Sequence, residues 1–218
     1  ERNNVQSPYL LQNLVNVLSS TTSSLVNPNK IKDTLILSGY KSADEDTIVK
    51  YIGFLTEAFL FERSERYDIK GRKYIGAQQK YFYSDVGLRN ARLNFRQQEE
   101  NHIMENIVYN ELRLRGFNVD VGVVEVYEKA PEKSKSVKVQ REVDFVANQG
   151  SRRYYIQVAY DLSTEEKQQQ EYNSFRNIPD SFKKIVIVNG ASKPWRNEEG
   201  YVIMGMKYFL LNNASLDF

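Results

Sequence analysis

Two neighbouring stretches, VQREVDFVA at residues 139–147 and RRYYIQVAYD at 152–161, decide how this chain is read. Both are rich in β-branched and aromatic residues, and Asn148 to Ser151 between them, with Gly150, reads as a turn. Two strands joined in a hairpin are expected. Alternate side chains of a strand face opposite sides. Val139, Arg141, Val143 and Phe145 should therefore share one face, and Gln140, Glu142, Asp144 and Val146 the other. In the next strand Tyr154, Ile156, Val158 and Tyr160 oppose Tyr155, Gln157 and Ala159. A hairpin of this kind places Asp144 beside Gln157 and Ala159.

Outward from the hairpin, the valines at 119, 121 and 123 alternate and mark an earlier strand. Glu128 to Lys138 is polar, lysine-rich and carries Pro131, so it is expected to be an exposed loop. A helix from about Glu99 to Arg115 stops at Gly116. Downstream, Ser163 is expected to cap a helix reaching about Asn177. Lys184–Val188 and Tyr201–Met204 read as strands, and Met206–Leu211 as a terminal helix. The order from residue 99 is helix, three strands, helix, strand. Three consecutive strands argue for a mixed sheet rather than a doubly wound parallel one.

The N-terminal part has a different rhythm. Ser7 followed by Pro8 is a helix start, and Leu10, Leu11, Leu14, Val15 and Leu18 recur at helical spacing. The polar run Ser19–Ser24 breaks that helix. Asn27 and Pro28 begin a second, which ends near Gly39. A third begins after Ser42 with Glu45 as a capping box, and its apolar face is Ile48, Tyr51, Ile52, Leu55 and Phe59. Two strand-like stretches follow, Leu60–Tyr67 and Tyr74–Tyr83, linked by a turn at Asp68–Lys73 with Gly71. Three helices and a hairpin make a winged-helix pattern. The expected organisation is a winged-helix domain at 1–84, a connector at 85–98 and an αβββαβ domain at 99–218.

Composition narrows the function classes. The 218 residues carry a formal charge of +2 and contain no cysteine, which removes disulfides and zinc–thiolate sites. That fits a cytoplasmic protein. No apolar run is long enough to span a bilayer, so no membrane partner is expected. The charge is too small for a dedicated nucleic-acid binder, so any such surface is local. Lys70, Arg72 and Lys73 at the hairpin tip are the candidates to meet phosphates, against the plainer reading of a solvated turn. His102, the one histidine, receives no role. No glycine-rich loop ending in Gly-Lys-Ser/Thr occurs, so the chain cannot itself be an ATPase engine. It starts at Glu1 without methionine, and a further segment upstream is expected.

Three motifs carry a resemblance: KYFYSDVGLRN at 80–90, MENIVYNEL at 104–112 and REVDF at 141–145. Together they resemble a prokaryotic C-terminal domain of unknown function that follows an AAA-type ATPase domain. Its end is similar to the PD-(D/E)xK nuclease superfamily, with a restriction-endonuclease-like fold. The resemblance covers nearly the whole chain. It implies an upstream ATPase domain holding ATP, and DNA or another protein as partner. It also implies that Glu105 and Asp144 hold a divalent cation such as Mg²⁺, with Gln157 at the position of a third ligand. Active members have acid-x-Lys where this chain has Gln157-Val158-Ala159, so the lysine that assists the attacking water is missing. The expectation is a non-cleaving regulatory module in which the acids Glu105 and Asp144 survive as a polar remnant, hydrogen-bonded to Gln157 and Tyr155. The alternative is a metal-dependent endonuclease in which Arg141 or Lys167 has taken over the lost role.

Overall fold

The structure is a computed structural model, and it describes residues 3–40, 44–76, 78–96, 99–129 and 136–218. Among these it contains seven α-helices and eleven strands in mixed α/β order. The chain divides into two compact units, Glu1–Ser64 with Ala77–Ile107, and Glu65–Gly76 with Val108–Phe218. This division is interleaved, where the sequence reading has consecutive segments.

The first unit opens with α1 (Pro8–Ser20), whose N-cap Ser7 accepts a hydrogen bond from the Leu10 N–H at 3.3 Å. After a two-residue strand β1 (Leu25–Val26), Asn27 caps α2 (Pro28–Leu37). Helix α3 (Glu45–Glu57) is capped by Asp44, which accepts from the Thr47 N–H at 2.8 Å. The expected cap Ser42 lies outside the described residues. Strand β2 (Phe61–Ser64) follows, then β3 (Arg66–Asp68), β4 (Lys73–Tyr74) and β5 (Gln79–Tyr83). Strands β1, β5 and β2 form a three-stranded antiparallel sheet. The core gathers Leu10, Leu14 and Leu18 of α1 with Ile31, Leu35, Ile48, Ile52, Phe61 and Tyr83. Each such large side chain contributes about 1.5–3 kcal/mol on burial. Phe59 does not join them. It sits beyond the end of α3 at φ +56 and is 78% exposed.

The segment expected to be a connector contains a helix, α4 (Val86–Arg92). Asp85 caps it, accepting from the Gly87 and Leu88 N–H groups. Then comes α5 (Glu100–Leu114), and the division between the units falls within it. Buried Asn106 of α5 acts as an edge for β5. Its Oδ1 accepts from the Tyr83 N–H and its Nδ2 donates to the Tyr83 carbonyl, at 2.8 and 2.7 Å.

The second unit continues with β6 (Asn118–Lys129), β7 (Ser136–Gln149), β8 (Arg152–Ala159), α6 (Glu165–Arg176), β9 (Lys183–Val188), β10 (Trp195–Arg196), β11 (Val202–Gly205), α7 (Met206–Leu211) and a 3₁₀ turn at Ser215–Asp217. Its sheet has the order β10-β11-β9-β8-β7-β6-β3-β4. Strands β6, β7 and β8 are antiparallel, and the α6 crossover makes β8 and β9 parallel, so the sheet is mixed, as expected. The tip of the N-terminal hairpin belongs here. β3 pairs in parallel with β6, Tyr67 opposite Gly122, and β4 pairs with β3.

The two ends of the expected loop at 128–138 are strand: Glu128 pairs with Val137 and Lys129 with Ser136. Residues 130–135, the middle of that loop, lie outside the described residues. Its charged side chains mislead because the backbone ladder carries the pairing. Lys138 meets Glu125 at 2.6 Å from the opposite strand.

Candidate functional site

A β-bulge at Asp144 builds the site. Asp120 of β6 stands opposite Val146 and Gly122 opposite Val143, so β7 has one residue more than β6 between these pairs. The strict alternation expected over residues 139–147 therefore breaks. Val143 and Val146 both enter the core beneath α6, while Phe145 packs against Tyr109 with ring centres 6.1 Å apart. The residue opposite the bulge has to be small. A Cβ on Gly122 would lie 2.8 Å from Val143 Cβ and 2.9 Å from Val146 Cγ2.

Asp144 stands next to the pair Phe145 and Ile156, where the register of β7 and β8 begins. Its side chain takes the place of a strand partner: Asp144 Oδ2 accepts from the Val158 N–H at 2.7 Å. In return the Asp144 N–H donates to Gln157 Oε1 at 2.7 Å. That bond fixes the amide orientation, since Gln157 Nε2 then donates to Glu171 Oε2 of α6 at 3.2 Å. Asp144 and Gln157 are both buried and Glu171 is half-buried. Burial raises the Glu171 carboxyl to about 7, the charge of Asp144 adds to the rise, and the Gln157 bond opposes it.

The structure thus brings Asp144 and Gln157 together as the hairpin reading expected. It adds Glu171 of α6, to which the sequence reading gave no role. A signal was present, because Glu171 stands four residues before the core residue Phe175. Tyr155 does not serve the cluster as expected. Its hydroxyl donates to Asp180 Oδ2 at 2.6 Å. Ala159 is buried in the apolar core under α6. Helix α6 is capped by Thr164 rather than Ser163, and Ser163 instead donates to Asp161.

Glu105 of α5 belongs to the first unit. There it pairs with Lys80 Nζ at 3.1 Å, the two side chains being 12% and 4% exposed. Lys167 donates to Asp161 Oδ2 at 2.7 Å. Arg141 stands opposite Val124 and shares a face with Val139 and Val143. Among the described residues no group of three or more histidine, cysteine or acidic side chains is placed to hold a metal ion. The two carboxylates of the second-unit cluster, Asp144 and Glu171, do not by themselves make the oxygen cage a hard divalent cation favours.

The hairpin-tip cations are all exposed. Lys70 Nζ donates to the Glu125 carbonyl at 2.8 Å, and Lys73 stands opposite Asp68. Arg72, at φ +52, has no hydrogen-bond or ion-pair partner among the described residues. No described helix is long and apolar enough to cross a membrane.

Comparison with known proteins adds four findings. Residues 1–99 match the family described as Domain of unknown function (DUF8612). An uncharacterized protein of Haemophilus influenzae is 32% identical over 186 residues, which is 85% of this chain and 42% of that protein. The chain therefore spans less than half the length of this curated relative. The crystal structure of protein VC1899 from Vibrio cholerae aligns with 95% of this chain and 55% of its own, at 11% identity and a TM-score of 0.34. Residues 100–209, half of the chain, match a second family. On that match the chain belongs to the family described as Domain of unknown function (DUF4143).

Proposed function

We propose that this chain is the ancillary part of an AAA-type ATPase. In this reading a winged-helix unit is joined to a restriction-endonuclease-like unit that binds DNA or a partner protein and does not cleave. Three features support it. The element order from α5 to β9 is αβββαβ on a mixed sheet. Domains of the second family are often found with AAA-type ATPases. The chain spans 42% of its longer relative, which leaves room there for an ATPase domain.

The observation that carries the non-cleaving part is the closed bonding of Gln157. Metal-assisted hydrolysis needs carboxylates to hold the ion and a group to handle the water. Here Gln157 accepts from one neighbour and donates to another, Asp144 is bonded to the Val158 N–H, and Ala159 stands in the lysine position. Glu171, near 7, is half protonated at neutral pH and is a poor ligand in that form. Mg²⁺ therefore does not fit these residues.

The test is an assay on linear, supercoiled and single-stranded DNA with Mg²⁺ or Mn²⁺, using Asp144→Ala as the control for contaminating nuclease. No cleavage above the control is expected. Metal-dependent cleavage abolished by Asp144→Ala would overturn the reading in favour of an endonuclease with a relocated cation. Arg141 would then be the first residue to replace, because its register puts it on the Val143 face, and Lys167 the second.

A further inference from the structure

Two clefts open in the second unit at the amino ends of the parallel strands β8, β9 and β11. One, of about 390 Å³, is lined by Arg72, Arg152 and Arg153. The other, of about 340 Å³, is lined by Lys183, Lys184 and Arg196. Phe182, 42% exposed, lines both. Six cationic side chains thus face two carboxylates, Asp180 and Glu199, in a chain whose formal charge is only +2.

Neither carboxylate answers the cations fully. Glu199 is held by Arg176 through two bonds, at 2.5 and 2.7 Å. Asp180 accepts from the Tyr155 hydroxyl and from the Phe182 N–H. Several of the cations are positioned by backbone oxygens, with the charges of Asp180 and Asp217 close by. Lys183 donates to the Leu216 and Phe218 oxygens, Lys184 to the Asp180 carbonyl and Arg196 to the Gly200 and Phe218 oxygens. The Arg153 guanidinium lies over the Tyr67 and Phe182 rings, 5.6 and 5.4 Å from their centres. Arg152 meets Asp217 only at 3.9 Å, on the surface, and Arg72 has no partner among the described residues.

We propose that these joined clefts are a single-stranded nucleic-acid groove, in which the cations hold successive phosphates and Phe182 offers its ring to an unpaired base. A groove of positive charge with an exposed aromatic at its midpoint suits a strand whose bases are free to stack. A duplex keeps its bases inside and offers no such face. The proposal rests on the DNA-binding branch of the reading above. It moves the contact from the hairpin tip to a groove that shares only Arg72 with it.

The experiment is fluorescence anisotropy of the full chain with a labelled oligothymidine strand, and with a duplex of equal length, over a salt series. The logarithm of affinity should fall linearly with that of salt. Replacing Arg72, Arg152 and Arg196 by alanine should reduce the slope by about 2, at about 0.7 per phosphate contact on a single strand. Low-salt affinity should drop at least tenfold. Phe182→Ala should weaken binding about five- to hundredfold with little change of slope, since stacking is not ionic. Lys70→Ala with Lys73→Ala should leave the slope unchanged. If the triple variant melts early, Arg72→Ala alone carries the test, with a slope smaller by about 0.7. Binding by the wild type with an unaltered slope in the arginine variants would remove the groove and leave the nucleic-acid reading standing. A wild type that binds no strand at low salt would remove both. Preference for the duplex with a silent Phe182→Ala would overturn the single-strand assignment.

Discussion

Replacing Glu171 by glutamine should stabilise the protein above neutral pH and leave it nearly unchanged in mild acid. The Glu171 carboxyl is raised from its ordinary 4.5 to about 7, first by burial and then by the charge of Asp144. The folded protein therefore binds this proton more tightly than the unfolded chain does. The associated stability is fully present below about pH 4.5 and is lost as pH rises through about 7. At 1.36 kcal/mol per tenfold, the full rise corresponds to about 3 kcal/mol. Glu171 retains some access to water, so about half of that, about 1.5 kcal/mol, is the expected loss. Glutamine cannot ionise, and its carbonyl still accepts from Gln157 Nε2, so the variant escapes the loss while keeping the bond. For a chain of this size the difference in Tm should be about 3–6 °C at pH 8.5 and close to zero near pH 5. Thermal melts of both proteins across that range are the assay. A difference that stays flat with pH would refute the argument, because Glu171 would then titrate alike in the folded and unfolded chains. Asp144→Asn should shrink the pH dependence, since it removes the second cause of the rise.

Other substitutions probe the frame around this cluster, each by urea unfolding. Gln157→Leu leaves the Asp144 N–H without its acceptor and should cost about 1–3 kcal/mol. Gly122→Ala should cost about as much, because its Cβ would meet Val143 and Val146 at less than van der Waals distance. Lys80→Met should cost about 3–5 kcal/mol by removing one partner of the Lys80–Glu105 pair, and Glu105→Leu added to it should recover most of the loss. A double variant as unstable as the single would refute this, because removing Glu105 as well would then relieve nothing.

Much of the local structure was legible in the residues alone. Ser7-Pro8 and Asn27-Pro28 start helices because a capping side chain and a preset proline act within one turn. The hairpin of β7 and β8 follows from two β-rich runs and a turn, and with it the meeting of Asp144 and Gln157. These are decisions made over a few residues, so nearby chemistry is enough. Helix α4 was read as connector, because seven residues are too few for a periodic apolar signal to emerge.

The tertiary structure decided the rest, because it depended on partners far away in sequence. Whether the Asp68–Lys73 turn projects into solvent or pairs on a sheet depends on β6, more than forty residues later. The polarity of Glu128–Lys138 argued for a loop, and the facing strand made its two ends ladder. The bulge at Asp144 arises because β6 offers one residue fewer than β7 between two paired positions, and strict alternation cannot anticipate that mismatch. Glu171 joins the cluster only because α6 packs on that face of the sheet, where burial and the Asp144 charge act on it together. A chain of charged and polar residues looks the same in solvent and beneath a sheet until the packing sets its dielectric surroundings, and that is why the fold's elements could be read from the sequence but the chemistry of its central carboxyl could not.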